Sequence, residues 1–149
     1  MTGEYSKYVP NNHPQSDRKE PGTAGEGQTS PAIPANDAAS ASQRTQRIRD
    51  LNDQLRTMGR GGLIHMTNGI AALGLPTVDV IFACIADFIG FTPDNDPWGE
   101  HDCAVMTILD HRIIWKIDYY DRTRTYHSPD PGDPKVTVRV MTVMLADEY

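Results

Sequence analysis

Residues 104–120 read Ala104-Val105-Met106-Thr107-Ile108-Leu109-Asp110-His111-Arg112-Ile113-Ile114-Trp115-Lys116-Ile117-Asp118-Tyr119-Tyr120. Two runs of strand-forming residues, 104–109 and 112–120, flank Asp110-His111. Pairing outward from that dipeptide sets Ile108 against Ile113, Met106 against Trp115 and Ala104 against Ile117. Side chains alternate across a strand, so all six share one face. The other face pairs Thr107 with Ile114, Val105 with Lys116, and Cys103 with Asp118. The stretch therefore predicts a β-hairpin with one apolar face that must be covered, which points to an α+β domain.

The flanking sequence supplies the cover. Upstream, Pro76 to Ile89 predicts a helix, with proline in its first turn and Gly90 at its end. Its residues are apolar almost all round, which predicts a central core element, with Cys84 as a buried small hydrophobe. Leu63-Ile64-His65-Met66-Thr67 predicts a short strand closed by an Asn68-Gly69 turn. Residues 42–58 predict a helix capped by Ser40 or Ser42, with an apolar stripe of Ile48, Leu51, Leu55 and Met58 and a terminus at Gly59, Gly61 and Gly62. Its other face carries Arg44, Arg47, Arg49, Arg56, Asp50 and Asp53 and is expected to be solvated. Downstream, residues 134–147 can be read two ways. Val136, Val138 and Val140 alternate like a strand, but Asp133-Pro134 suits a helix start and Val136, Val140, Val143 and Met144 share a helical face; a helix is expected. The fold expected is a small, mainly antiparallel sheet packed against about three helices, in the order α-β-α-β-β-α.

Residues 1–42 differ. They hold five prolines and four glycines, and only Val9 and Ile33 come from the Leu, Ile, Val and Phe set. Such a segment buries too little apolar surface to offset its ordering entropy. It is expected to be a disordered arm preceding one domain over 43–149, which is long enough for a modest core.

The whole chain of 149 residues has a net charge of −6. That argues against direct nucleic-acid binding, which needs cations to neutralise phosphates. No apolar run reaches the ~18 residues of a membrane span, and Met1 to Pro10 lacks the apolar centre of a secretion signal. Two cysteines, Cys84 and Cys103, suit a reducing compartment, so a cytoplasmic location is expected. The chain has no phosphate-binding glycine loop, no His-Glu-x-x-His and no Cys-x-x-Cys. No cofactor is expected.

The acids concentrate. Asp79 to Asp121 holds nine acids and two basic residues, a local charge of −7, whereas 43–60 sums to +3. Asp94-Asn95-Asp96-Pro97-Trp98-Gly99-Glu100-His101-Asp102 forms an oxygen-rich loop, and Asp118-Tyr119-Tyr120-Asp121 ends the hairpin. In the register above, Asp102 faces Tyr119 and Cys103 faces Asp118, which brings the two acidic ends together. Such a set can recognise a basic protein surface, with Trp98, Tyr119 and Tyr120 as aromatic anchors. It can also hold a divalent cation, with His101 or His127 as ligand or base. The bland alternative is turn chemistry, which suits Asp130 and Asp133 best. Lys116 and Arg122 are the cations expected near the cluster.

Four blocks carry a resemblance. They are Asp94 to Asp102; Trp115-Lys116-Ile117-Asp118-Tyr119-Tyr120-Asp121; Ser128-Pro129-Asp130-Pro131-Gly132-Asp133-Pro134; and Met144-Leu145-Ala146-Asp147-Glu148-Tyr149. Together, over about residues 44–149, they resemble a domain-of-unknown-function family of small bacterial proteins carried by plasmids, prophages and integrated elements. Glycine often occupies that family's hairpin turn, where this chain has Asp110-His111. The resemblance brings no activity or catalytic residues. The context it implies is a mobile element, whose small acidic proteins often oppose host restriction or CRISPR systems.

The expected function is a non-enzymatic binding module that presents Trp98, Glu100, Asp102, Asp118, Tyr119 and Asp121 to a basic groove of a protein partner, such as a nucleic-acid-binding defence complex. The alternative is a metal-dependent hydrolase or nuclease using Glu100, His101, Asp102, Asp118 and His127.

Overall fold

The computed structural model describes residues 35–149. Helix α1 (Ala35–Met58) leads to β1 (Gly62–Met66), the short α2 (Asn68–Ala72) and α3 (Leu75–Ala86). Then come β2 (Cys103–Ile108), β3 (His111–Tyr120) and β4 (Val138–Leu145), and a single 3₁₀ turn, Ala146–Glu148, follows. The four strands form one open sheet in the order β1-β4-β3-β2. β1 runs parallel to β4, and the other neighbours are antiparallel. The α+β class expected from the hairpin is the class observed.

The hairpin forms, but with its register moved by two residues. Ile108 pairs with His111, Met106 with Ile113 and Ala104 with Trp115. The turn is Leu109-Asp110, both at positive φ (47° and 67°), rather than Asp110-His111. Two left-handed residues give the tight turn whose twist matches that of the strands. A shift of two keeps every side chain on its expected face, because the strand period is two. Trp115, Ile113, Ile117, Ala104 and Ile108 are all buried in the core, with Met106 packed against it.

The last element corrects the expectation. Residues 138–145 are a strand, placed at the centre of the sheet between β1 and β3. Pairing with β1 and β3 decides the outcome, and the buried face is Arg139, Met141 and Val143, whereas Val138 and Val140 are half-buried on the other face. Asp133 accepts the Lys135 amide at 2.8 Å and donates its own amide to Asp130 O at 3.0 Å, which makes a turn rather than a helix start. The observed order is therefore α-β-α-α-β-β-β.

Other boundaries move less. α1 begins at Ala35, not near 42, consistent with the alanine-rich run 38–41. The remainder of the expected arm, residues 1–34, lies outside the described residues. Asn68-Gly69 opens α2 instead of making a plain turn. α3 buries one face only, through Val78, Ile81 and Ile85, with Phe88 just beyond, while Val80 is exposed and Cys84 half-buried. It is a covering helix, not a central one.

One face of the sheet packs against α1 and α3 through Leu55, Ile81, Ile85, Trp115, Met141 and Val143. Gly62 permits the close approach of β1 to that layer, since a Cβ there would lie 2.7 Å from both Arg139 O and Leu55 Cδ2. The chain end is tied back by Glu148, whose carboxylate accepts Thr67 Oγ1 at 2.6 Å, Leu145 N at 2.9 Å and Gly69 N at 3.0 Å.

Candidate functional site

The inner face of the sheet is apolar in its middle and polar at one end. There β3 and β4 place Tyr119 and Arg139 opposite one another. α1 crosses above them and lowers Asn52 into the layer, fully buried, while Arg139 is 1% exposed. Asn52 Nδ2 donates to Tyr119 Oη at 2.7 Å and to Glu100 O at 2.9 Å, and its Oδ1 accepts Arg139 Nε at 3.0 Å. Tyr119 Oη donates to Glu100 Oε2 at 3.0 Å. Arg139 also donates to Pro131 O, and its guanidinium lies 5.5 Å from the centre of the Tyr119 ring. Among the described residues Arg139 forms no ion pair.

A second knot lies alongside. Asp96, 7% exposed, accepts the amides of Glu100 (2.9 Å) and His101 (3.3 Å), which folds the 96–101 loop on itself. His101 stacks on Phe91 at 3.7 Å and bonds through Nδ1 to Asp53 at 3.0 Å. Asp53 also pairs with Arg56 at 2.9 Å. Arg56 is buried and closes the end of α3 by donating to Ile85 O (2.6 Å) and Ala86 O (2.8 Å).

The arginine face of α1 is therefore not simply solvated. Arg44 Nε meets Asp130 at 3.2 Å, Arg47 Nε donates to Gly132 O at 2.9 Å, and Arg49 Nε donates to Gly99 O at 2.6 Å. Gly99 adopts φ +66°, and a Cβ there would lie 2.8 Å from Arg49 Nη2. The basic segment fastens the 96–101 loop of the acidic segment and, beyond that segment, the 130–132 turn.

Crowded, partly buried carboxyl groups hold their protons more tightly than free ones. Burial, then the neighbouring Glu100 and Asp96, push Asp102 up to about 6. Burial also raises Glu100 against the lowering effect of its Tyr119 bond. Burial drives Tyr119 far above the usual phenol range and, with the Asp102 charge, lifts Cys103 to about 12, so neither is a nucleophile at neutral pH.

The residues expected to form one acidic face separate. Glu100, Asp102 and Tyr119 belong to the inner, helix-covered side. Asp118 lies on the opposite face of the sheet and pairs with Lys116 at 2.9 Å. Strand alternation accounts for this, since Asp118 shares a face with Lys116 and Tyr119 with Ile117; the register shift only moves Cys103 from Asp118 to Lys116, with the Ile117 amide bonded to Asp102 O at 2.7 Å. Asp121 is engaged in its own turn, accepting Thr123 Oγ1 at 2.8 Å and Thr125 N at 3.0 Å, which lowers its pKa. Trp98 stands 67% exposed on the loop. His127 is exposed beside Tyr120, and Arg122 sits in the turn after β3. Among the described residues no three His, Cys, Asp or Glu side chains gather closely enough to hold a metal ion.

Asn52, Arg56, Asp96 and Arg139 are the participants that sequence reasoning missed. A faint signal existed: Asn52 and Arg56 occupy the i+4 and i+8 positions from Ile48, inside the buried stripe.

A four-stranded open sheet with helices on one face and a buried polar end defines a small α+β domain. Residues 66–148 match the family model for a protein of unknown function, DUF3768, and the chain belongs to that family. The matched span holds three of the four motif blocks and all but the last residue of the fourth; α1 and most of β1 precede it. Comparison with curated proteins and with solved structures gave no match.

Proposed function

We propose that this chain is a non-enzymatic binding module whose acidic loop docks on a basic surface of a protein partner. The observation that carries the reading is the way Trp98 is held. The indole is two-thirds exposed, yet the loop bearing it is bonded from within by Asn95 and Asp96, and from α1 by Arg49 and Asn52. Asn95 Oδ1 accepts the Thr92 amide at 2.7 Å, and its Nδ2 donates to Gly90 O at 2.8 Å. An aromatic side chain presented on a loop already fixed loses little entropy on docking, which favours recognition. The local charge of −7 over 79–121 supplies the attraction to a basic partner.

The finer proposal is an inhibitor carried by a bacterial mobile element, acting in the cytoplasm on a nucleic-acid-binding defence complex. A basic groove made for phosphates is the chemistry an acidic surface fits. Its test is retention of a bacterial defence protein from lysate by the immobilised full chain, at about 50 mM and 500 mM salt, followed by mass spectrometry. The reading expects a basic protein held at low salt, released at high salt, and lost with Trp98→Ala and Asp94→Lys while the thermal melt is unchanged. Equal retention by those variants overturns it.

A second reading rests on Asp102, held near 6 with the charge of Glu100 nearby, where Glu100 in turn accepts the Tyr119 hydroxyl at 3.0 Å, a set that suits acid–base work in a hydrolase or nuclease. Calorimetric titration with Mg²⁺, Mn²⁺ and Zn²⁺ separates the two. Stoichiometric binding lost in Asp102→Ala favours the metal enzyme.

A further inference from the structure

The turn after β3 carries two arginines and one acid, Asp121. Arg122 and Arg124 are exposed and form no ion pair among the described residues. The chain as a whole is acidic, at −6, so two such cations close together in one short turn are out of character. The turn is held firmly. Asp121 N donates to Tyr126 O at 2.8 Å, Arg124 N donates to Asp121 O at 3.0 Å, and the Asp121 carboxylate collects Thr123 and Thr125. Arg124 itself sits at φ 59°, a left-handed conformation that side-chain-bearing residues rarely adopt. Backbone strain of this kind persists only where the surroundings impose it.

Both arginines line a depression of about 540 Å³, together with Leu63, Pro134, Thr137 and Val138. That volume falls within the range of small-molecule sites. The Thr137 hydroxyl in that lining is already engaged by Asp130 O and Ser128, at 2.7 Å each. The positive charge comes from the arginines at its edge. Arginine recognises carboxylate and phosphate through paired N–H groups. A polyanion such as nucleic acid is disfavoured by the net negative charge of the chain, whereas a small anion feels mainly the local pair.

We propose that this depression binds a small organic anion, with a carboxylate or phosphate head between Arg122 and Arg124 and an apolar body on Leu63, Pro134 and Val138. The site is separate from the Trp98 loop and does not depend on the docking function. Asp121, read from the sequence as a binding acid, serves here as the positioning residue of the arginine turn.

The test is an NMR titration of the ¹⁵N-labelled full chain with phenylphosphate, phenylacetate, neutral phenylacetamide and inorganic phosphate. Saturable shifts are expected at the amides of 61–63, 122–125 and 137–138 with phenylphosphate or phenylacetate, the tighter of the two naming the head group. Phenylacetamide and inorganic phosphate are expected to bind about tenfold more weakly or worse. The Arg122→Gln, Arg124→Gln double variant is expected to weaken binding by about tenfold with an unchanged thermal melt. Shifts elsewhere, equal binding of the neutral amide, or no loss in the double variant overturns the proposal.

Discussion

Asp102 accepts the Ile117 amide through its carbonyl, at 2.7 Å, while its carboxyl is partly buried and feels the charges of Glu100 and Asp96, without an ion pair among the described residues. The folded chain therefore holds that proton more tightly than the unfolded chain, where an aspartate titrates near 3.8. The stability linked to this group is fully present below pH 3.8 and is lost as pH rises through about 6. Asp102→Asn removes the cost of ionisation. It is expected to be more stable than the parent by about 1–3 kcal/mol at pH 7.5, with the gap closing toward pH 4. Urea unfolding at the two pH values measures it, and a gap independent of pH defeats the argument. Asn52 is the opposite case, a neutral side chain whose loss removes the acceptor of Arg139 Nε and the donor to Tyr119 Oη and the Glu100 carbonyl. Asn52→Ala is expected to cost about 2–4 kcal/mol in the same assay. The crowding at Glu100 and Asp102 was legible from their spacing in a loop. Arg139 was not, because a charged residue between Val138 and Val140 looks like a solvent-facing strand position until the register places it beside Met141 and under α1.

At the scale of elements, periodicity carried what it could. Alternation across 104–120 identified which side chains of the hairpin share a face, and a register error of two residues left that result intact. It could not identify the turn, since Leu109 is a poor residue for φ 47° and gives no turn signal. The same limit explains β4. Both a strand and a helix fit the apolar positions from Val136 to Met144, and only pairing with β1 and β3 decides between them. The turn offers a direct test. An asparagine–glycine pair has the backbone freedom that two left-handed residues need, so the double substitution Leu109→Asn, Asp110→Gly is expected to stabilise the domain by about 1–2 kcal/mol. Differential scanning calorimetry should record a rise of several degrees. A fall in the melting temperature means that Leu109 contributes contacts that outweigh its backbone strain.

Across the whole molecule, the basic segment 43–60 is fastened to the rest of the chain chiefly through backbone carbonyls. α1 bonds to the 96–101 loop through Arg49 and Asn52, to the 130–132 turn through Arg44 and Arg47, and to the end of α3 through Arg56. It also buries Ile48 and Leu55 against the sheet. The family match, in contrast, begins at Met66, the last residue of β1. A fragment confined to 66–148 would lose α1 and the parallel edge strand together. Burial of Ile48 and Leu55 alone is worth about 1.5–3 kcal/mol each, and the fragment would also strand Arg139 and Tyr119. Because a domain of this size holds only about 5–15 kcal/mol in total, the fragment is expected to lose cooperative thermal unfolding and amide dispersion in its ¹H–¹⁵N spectrum, both of which the full chain retains. A fragment that melts cooperatively near the parent temperature would show that the α1 contacts are ornamental, and that the 96–101 loop keeps its shape without the helix that bonds to it.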